Sequence, residues 1–387
     1  MRVLHAVTLH TPSHAFGGPT RVALGLCRGL AERGDDAVLL ALGDEFPAGP
    51  LPRVVEGARV RLHRARHLLP RFEVSGITSA VLLADAARAV RSADLVHVHL
   101  MRDLVTLPVA LLALRAGTPL VLQTHGMIDP TENRVARLVD GLGVRRVLRR
   151  ADAVLYLTER ERRETAAVVA PAPIAPARRL VNGVPARERA APPQGPPRLL
   201  YLARVQEGKR PRDFVGAMPT VLAEHPDARF VLAGPDTGAL AETLAHADEL
   251  GVRHALDVVG ALDGPEVLAA LRGASALVLP SVQDAFPLSV LEAMSVGTPV
   301  VVTDTTGLAP DVARAGAGRV VPARPHDDNG PAVGRAILDL LPPPAREQAS
   351  RAAWDLARTE FTLDTVLDRL TQIYTEVLTH RATATPT

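Results

Sequence analysis

Short apolar runs alternate with helical segments along this chain, and the alternation constrains the fold more than any other feature. The clearest case is residues 276–303, where the apolar run 276–279 precedes a loop, a helix from near Pro287 to Gly297, and a second apolar run at 300–303. Continuously apolar runs of this length are typical of strands that are buried on both faces. Because parallel strands need helical crossovers, the pattern predicts an α/β protein with parallel sheets.

Length and proline distribution predict two domains. The chain has 387 residues, more than one hydrophobic core usually holds. Five prolines fall within residues 185–197, where apolar periodicity is absent, and they predict a linker at 186–198. We therefore predict a first domain at 1–185 and a second at 199–357, followed by a terminal helix at about 361–380.

Composition narrows the class of protein. The single cysteine excludes an internal disulfide framework. The longest apolar run, residues 104–114, contains a proline and is too short to span a bilayer, and no signal peptide is visible after Met1, so we expect a cytoplasmic protein. Residues 1–190 carry 27 Lys or Arg against 18 Asp or Glu. This excess indicates an anionic partner, either a membrane surface or an anionic acceptor, or else a solvated arginine-rich face.

Several residues of the first half are candidates for ligand contact. Gly17 and Gly18 lie in the first strand-to-helix turn, where glycine lets a backbone approach a ligand closely. No complete Gly-x-Gly-x-x-Gly fingerprint is present, which argues against a dinucleotide dehydrogenase. His125 follows a predicted strand, a typical binding position in open α/β sheets. His97 and His99 share one face of a strand, and without an apparent third ligand we interpret them as packing or site-lining residues.

The loop and helix at 280–297 are the corresponding candidates of the second half. A helix N-terminus presents unpaired N–H groups and partial positive charge, which suit a phosphate. Asp284 lies in the loop before the helix. Glu292 lies beyond the first helical turn, so its carboxylate is either solvated or directed at a ligand hydroxyl.

Residues 280–303 resemble the acid-x7-Glu signature of family 4 retaining glycosyltransferases. Glu292 matches the second acid, whereas Asp284 stands where the family usually has Glu. Arg204 and Lys209 match two cations that the family places after the first strand of its second domain, and Arg210 replaces a common Gly. The resemblance covers nearly the whole chain.

The resemblance implies the GT-B fold, with two Rossmann-like domains facing across a cleft and a C-terminal helix that crosses back to the first domain. Phe361, Val366 and Leu370 would lie on the packing face of that helix. The family also implies site roles. These are Gly17 and Gly18 at the diphosphate or acceptor, His125 at the reacting face, Arg204 and Lys209 on the diphosphate, Val259 and Gly260 at the nucleotide base, Asp284 with the amides near Phe286, Pro287 and Leu288 on the sugar, and Glu292 on the ribose.

The implied reaction is transfer of a sugar from a nucleotide diphosphate, most often UDP, to an acceptor hydroxyl with retention of configuration. It needs no cofactor beyond the donor and no metal, in keeping with the absence of an Asp-x-Asp motif from the sequence. The acceptor would be a lipid-linked saccharide or a soluble natural product, with no nucleic-acid partner. A nucleotide-sugar 2-epimerase and a non-catalytic nucleotide-sugar-binding subunit share the architecture and remain alternatives.

The segment 134–150 carries six arginines around apolar residues and resembles helices through which enzymes of this class dock on membranes. It predicts a peripheral contact with the inner face of the membrane. Arg149 and Arg150 would equally complement a helix C-terminus in a protein that stays in solution.

Overall fold

The computed structural model describes residues 1–12, 18–69, 74–324 and 328–384. Gly17, one of the predicted site residues, lies outside this part of the chain. Two compact units are present: the first comprises Met1–Asn182 and Leu363–Thr387, and the second comprises Gly183–Thr362.

Strands and helices alternate through the amino-terminal part of the first unit. Its elements are β1 (Arg2–His10), α1 (Gly18–Glu32), β2 (Asp36–Gly43), β3 (Val54–Val55), β4 (Ala58–Arg64), β5 (Arg66–His67), β6 (Ile77–Thr78), α2 (Ala80–Ser92), β7 (Leu95–His99), α3 (Thr106–Ala116), β8 (Leu120–Gln123), α4 (Arg134–Val139), a π-helical turn (Asp140–Val144), α5 (Arg145–Arg150), β9 (Ala153–Tyr156), α6 (Glu159–Val169) and β10 (Ala177–Arg179).

The second unit repeats the alternation. Its elements are β11 (Arg198–Leu202), a 3-10 turn (Glu207–Lys209), α7 (Pro211–Gly216), α8 (Met218–Glu224), β12 (Arg229–Ala233), α9 (Leu240–Glu249), a 3-10 turn (Arg253–Ala255), β13 (Leu256–Gly260), α10 (Gly264–Arg272), β14 (Ala276–Leu279), α11 (Leu288–Ser295), β15 (Val300–Thr303), α12 (Ala309–Ala315), β16 (Gly318–Val321), α13 (Gly330–Leu338) and α14 (Pro343–Glu360). The last helix of the chain, α15 (Leu363–Ala384), belongs to the first unit.

Both sheets have the strand order of a Rossmann fold. The sheet of the second unit runs β13-β12-β11-β14-β15-β16, with all neighbours parallel. The first sheet runs β10-β9-β8-β7-β1-β2-β4-β3, and only β3 is antiparallel to its neighbour. In such sheets, ligands bind beyond the carboxyl ends of the strands where the strand order reverses. These points lie between β1 and β7 and between β11 and β14.

Apolar layers cover both faces of the first sheet. One face packs on α2, α3 and α5, and the other packs on α1 and α15. On α15 the apolar positions Val366 and Leu370 are buried, as the sequence predicts, and Ile373 is buried beside them. The parallel α/β fold and the terminal helix that completes the first unit are therefore confirmed.

Two features of the second unit differ from the simplest expectation. Phe361 was expected on the packing face of α15, but it precedes that helix, and its ring lies edge-on to Phe286 with 5.8 Å between centroids. The proline-rich segment is held on the unit by hydrogen bonds: the Ala190 amide donates to the Val296 carbonyl (2.8 Å), and Trp354 Nε1 donates to the Arg187 carbonyl (2.8 Å). Among the described residues, no helix has the length and apolarity needed to cross a bilayer.

Candidate active site

In the second unit, the predicted residues gather where the strand order reverses. Arg204 and Lys209 lie on the loop that follows β11, and Asp284 lies on the loop that follows β14. The amide of Val282 donates to the carbonyl of Gly208 (3.0 Å), which joins the two loops directly. Strand topology therefore brings side chains separated by 75 or more residues in sequence to one edge of the sheet.

Lys209 and Asp284 form an ion pair, and only 21% and 11% of their side-chain surfaces are exposed. Arg204, by contrast, is exposed, and its guanidinium makes no hydrogen bond or ion pair with any residue in the described ranges. The pair is formally neutral, whereas Arg204 adds a positive charge beside it. Asp284 was predicted to contact a sugar, and the structure shows that Lys209 already holds its carboxylate.

Tyr201 holds the backbone of the loop that carries Arg204. Its hydroxyl donates to the Arg204 carbonyl (3.0 Å), and the residue is fully buried. Burial raises the pKa of the Tyr201 phenol, and the nearby charge of Asp284 raises it further. The hydroxyl therefore remains a neutral donor and holds the backbone from which the Arg204 side chain projects.

A close backbone approach fixes the neighbouring turn. Gly234 follows β12 with φ of +143°, and a Cβ placed there would lie 1.8 Å from the carbonyl oxygen of Ala203. Only glycine fits this position. Its amide donates to the carbonyl of Gly260 (2.7 Å), and the preceding Val259 is 46% exposed at the end of β13. This exposed apolar side chain lies at the edge where a nucleotide base is predicted.

Arg210 occupies a backbone conformation that explains the glycine common in the family. Its φ is +55°, in the left-handed region that side chains other than glycine rarely adopt. Its guanidinium donates to both carboxylate oxygens of buried Asp213 at 2.8 and 2.9 Å. Burial raises the pKa of Asp213, while the Arg210 charge acts against that rise. The bidentate ion pair offsets the backbone strain.

The start of α11 completes this half of the candidate site. Phe286 and Pro287 are buried, and Leu288 opens the helix, so the first-turn amides follow directly on the Asp284 loop. The Gly307 amide donates to the Asp284 carbonyl (2.8 Å) and ties that loop down. Glu292 is half-buried on the same helix. The sequence therefore placed these residues correctly on loop and helix, and their roles toward a donor remain predictions.

In the first unit, His125 lies directly beyond β8 with a strained backbone. Its φ is +51°. The flanking residues are held by the buried Glu161, whose carboxylate accepts hydrogen bonds from the Thr124 hydroxyl, the Gly126 amide and the Leu157 amide, each at 2.6 Å. Burial raises the pKa of Glu161, and these hydrogen bonds lower it. One carboxylate thus holds the residues on both sides of His125.

Sequence reasoning did not identify Glu161. A signal was present, because Thr158 and Glu161 have the Thr-x-x-Glu spacing of a helix capping box, and the Thr158 hydroxyl accepts the Glu161 amide (3.1 Å). Gly18 begins α1 close to the end of β1, where the Thr20 hydroxyl donates to the Leu9 carbonyl (2.8 Å). The predicted approach of the Gly17–Gly18 turn to a ligand stays a prediction.

A cluster of buried histidines lies next to His125. Ring nitrogens of His5, His97 and His99 lie within 4.8 Å of one another, so the third residue that the sequence did not suggest comes from β1. The His97 and His99 rings are stacked at 8° with 4.6 Å between centroids. A metal ion lies in the plane of each imidazole that binds it, about 2.1 Å from the nitrogen. Two stacked parallel rings cannot meet this condition for one ion, so the arrangement does not suit a metal.

The basic segment, residues 134–150, forms one continuous helical stretch through α4, the π-helical turn and α5. The π-helical turn contains both Gly141 and Gly143. All six of its arginines are exposed. Its exposed apolar side chains are Val135 (47%), Leu138 (61%) and Leu142 (72%).

Two family descriptions match the chain, one in each half. Residues 17–177 match the glycosyl transferase 4-like domain, and residues 185–353 match glycosyl transferases group 1.

Curated relatives extend over most of the chain. A glycogen synthase from Mycobacterium tuberculosis is 29% identical over 97% of this chain and 94% of its own length. A D-inositol 3-phosphate glycosyltransferase from Acidothermus cellulolyticus is 28% identical over 99% and 91%. A 2-deoxystreptamine glucosyltransferase from Streptomyces kanamyceticus is 31% identical over 78% and 83%.

Solved structures share the fold at low identity. Sucrose-phosphate synthase from Thermosynechococcus elongatus superposes with a TM-score of 0.75 at 20% identity, covering 98% of this chain and 100% of that one. The Anabaena protein HepE, solved in complex with UDP-glucose, has a TM-score of 0.76 at 15% identity, covering 97% and 100%. The fold is that of the GT-B glycosyltransferases. On these similarities, the chain is a glycosyltransferase and belongs to the group 1 glycosyltransferase family.

Proposed function

We propose that this enzyme transfers a hexose from a UDP-sugar to an acceptor hydroxyl with retention of anomeric configuration. The observation that carries the proposal is the group of Arg204, Lys209 and the α11 N-terminus at one edge of the second sheet. Two cations and a helix N-terminus together suit a diphosphate, since each stabilises negative charge. The relatives named as glycosyltransferases catalyse the same class of reaction.

In the proposed mechanism, Arg204 and Lys209 act on the leaving group. The bond between the anomeric carbon and the β-phosphate oxygen breaks, so negative charge grows on the diphosphate, and preorganised cations stabilise that charge most in the transition state. The acceptor oxygen attacks on the same face of the sugar and forms the new glycosidic bond. Its proton passes to the departing phosphate oxygen, which balances the step without a protein base.

The proposed donor is UDP-glucose. The Streptomyces relative is named a glucosyltransferase, and HepE was solved with UDP-glucose bound. Val259 is proposed to contact the uracil, and Glu292 the ribose hydroxyls. Asp284, released from Lys209 when the diphosphate arrives, is proposed to accept a hydrogen bond from the sugar.

The donor is tested by measuring UDP or GDP release from UDP-glucose, UDP-galactose, UDP-N-acetylglucosamine and GDP-sugars without acceptor, with and without EDTA. We expect slow release from UDP-glucose that EDTA does not change. Release that EDTA abolishes would contradict the metal-independent mechanism, and faster release from a GDP-sugar would contradict the proposed donor.

Variants test the roles of the two cations. Removing one preorganised charge-stabilising group typically lowers turnover about 100- to 1000-fold, so we expect such losses for Arg204→Ala and Lys209→Ala. Arg229→Ala is a matched control, because Arg229 pairs with Asp257 (2.8 Å) at the amino end of β12, the opposite edge of the sheet. Near-normal turnover in both test variants would refute the assignment.

For the acceptor we propose a soluble cyclitol. Two of the relatives are named for such rings, inositol 3-phosphate and 2-deoxystreptamine. Incubating the enzyme with UDP-glucose and each cyclitol, with maltooligosaccharide for comparison, should yield a cyclitol glucoside detectable by mass spectrometry. Product from the oligosaccharide alone would contradict this choice.

A lipid-linked saccharide is the second candidate acceptor, and the basic segment favours it. Exposed Leu138 and Leu142 beside exposed arginines suit an anionic membrane surface. We therefore propose a peripheral membrane contact there. The wild type should sediment with phosphatidylserine vesicles but not with phosphatidylcholine vesicles. A Leu138→Ser/Leu142→Ser variant should stay in the supernatant with both. Equal sedimentation of the two proteins would exclude this contact.

A further inference from the structure

A continuous series of hydrogen bonds leads from His125 into the interior of the first unit. His125 Nε2 lies 2.7 Å from His99 Nδ1, and His99 Nε2 lies 3.2 Å from His5 Nδ1. His5 Nε2 lies 3.2 Å from the Tyr374 hydroxyl, which lies 2.7 Å from His97 Nδ1. We call these five residues the histidine chain.

The topology of the unit assembles the histidine chain from distant segments. His5 on β1 lies in register with His97 on β7, and His99 follows two residues later on the same face. Tyr374 comes from α15, which packs on that face. The four inner residues are at most 1% exposed, whereas His125 at the end is half-buried.

Each imidazole in the histidine chain is neutral at pH 7. Burial lowers the pKa of His5 and of His125 to about 3, and it lowers the pKa values of His97 and His99 well below 6.5. A neutral imidazole has one N–H donor and one acceptor nitrogen. Each contact between two ring nitrogens must therefore contain a single hydrogen.

This requirement couples the tautomers of His5, His99 and His125. If His5 carries its hydrogen on Nε2, its Nδ1 must accept from His99 Nε2. His99 Nδ1 must then accept from His125 Nε2, which leaves the lone pair on His125 Nδ1. If His5 carries its hydrogen on Nδ1, every donor and acceptor is exchanged, and His125 Nδ1 becomes a donor.

Tyr374 selects between the two arrangements. A hydroxyl forms shorter hydrogen bonds as a donor than an N–H group does. The Tyr374 oxygen lies 2.7 Å from His97 Nδ1 but 3.2 Å from His5 Nε2. Tyr374 therefore donates to His97 and accepts from His5, so His5 carries its hydrogen on Nε2.

We propose that Tyr374 is a positioning residue that acts through His5 and His99 to hold His125 as the Nε2–H tautomer. The Nδ1 lone pair of His125, for which the described ranges contain no hydrogen-bond partner, is then available to accept a hydrogen bond from a bound hydroxyl group. The hydrogen bonds that Thr124 and Gly126 donate to Glu161, together with the stacked ring of His99, fix the direction of that lone pair. The identity of that hydroxyl group rests on the proposed function, whereas the tautomer itself does not.

The tautomer is tested by nitrogen NMR of the full chain labelled with 15N-histidine at pH 7.5 without substrate. His125 signals are assigned from those that disappear in His125→Asn. We expect a pyridine-like Nδ1 and a pyrrole-like Nε2 for His125. A pyrrole-like Nδ1 would overturn the proposal.

Removal of the Tyr374 hydroxyl tests its role. In Tyr374→Phe we expect the His125 Nδ1 signal to move toward the average of the two tautomers. Tyr156→Phe is the matched control, since Tyr156 lies on β9 of the same unit outside the histidine chain, and it should leave the signal unchanged. An unchanged signal in a folded Tyr374→Phe protein would overturn the proposal, and if that variant does not fold, the wild-type spectrum still decides.

Because the NMR test uses no donor, its outcome is independent of the donor assignment.

Discussion

Mild acid should destabilise the first unit because its buried histidines cannot take up protons in the folded state. Burial holds the pKa of His5 at about 3 and those of His97 and His99 well below 6.5. Below pH 6.5 the unfolded chain binds protons at these residues and the folded chain does not. The free energy of unfolding therefore has its full value above this pH and falls as the pH decreases below it.

The size of the effect follows from proton linkage. One histidine that stays neutral when folded lowers stability by about 1.4 kcal/mol at pH 5.5 and by about 0.1 kcal/mol at pH 7.5. The fully buried His5, His97 and His99 together remove about 4 kcal/mol between these pH values. Typical domains have about 5–15 kcal/mol in total, so the loss is large. Buried Asp103 and Glu161, whose pKa values burial raises, act in the opposite direction and reduce the net change.

Urea unfolding at pH 7.5 and 5.5 measures this loss with two probes. The single tryptophan, Trp354, lies in the second unit and reports on it, whereas far-UV circular dichroism reports on both units. A single substitution separates the contribution of one histidine to this loss from the opposing contribution of the carboxylates. His97→Gln should lose about 1.4 kcal/mol less than the wild type between the two pH values.

The control for this experiment is His254→Gln, since His254 is exposed in the second unit. It should lose as much stability as the wild type on acidification. If His97→Gln and the wild type lose equal stability, the histidines titrate in the folded protein, and the reasoning from burial is refuted.

Three further substitutions test the geometry of the second unit. Arg210→Gly relieves the strain of a left-handed residue but leaves buried Asp213 without its cation. We expect the free energy of unfolding, measured with urea, to fall by at least about 1 kcal/mol, and Asp213→Asn in the same chain should largely restore it. A gain in stability in the single variant would contradict the ion-pair argument. Gly234→Ala should lower the free energy of unfolding by at least about 2 kcal/mol in the same assay. The loss should exceed that of Gly238→Ala, because Gly238 has a positive φ but open space for a Cβ. Equal losses in the two variants would show that only backbone strain matters. Asp284→Glu should change the ratio of kcat/KM between UDP-glucose and UDP-galactose, and an unchanged ratio would remove Asp284 from the sugar site.

The sequence predicts much of the second half of the candidate site because local patterns fix it. Arg204, Lys209 and Asp284 each follow an apolar run, and parallel strands bring such loops to one edge of the sheet. What the pattern cannot supply is the pairing of side chains across that edge. The ion pair of Lys209 with Asp284 depends on loop conformations that no periodicity encodes.

The first half was less predictable because its contacts are long-range. His5 and Tyr374 are 369 residues apart, and each fits an ordinary element, one a buried strand and the other an amphipathic helix. Their contact follows only once α15 packs on the face of the sheet that carries His97. Glu161 has a capping-box spacing, but its carboxylate instead holds the loop on either side of His125. The local spacing indicates where the helix starts, but it does not indicate the tertiary role of the carboxylate.

The most direct test of the proposed reaction is the anomeric configuration of its product. The enzyme would be incubated with UDP-glucose, which has an α-linked sugar, and with inositol 3-phosphate or 2-deoxystreptamine, and the purified glucoside would be examined by proton NMR. We predict an α-linked product from the wild type and almost none from Arg204→Ala. A β-linked product would contradict retention, and the absence of any glucoside from the wild type would contradict the proposed pairing of donor and acceptor.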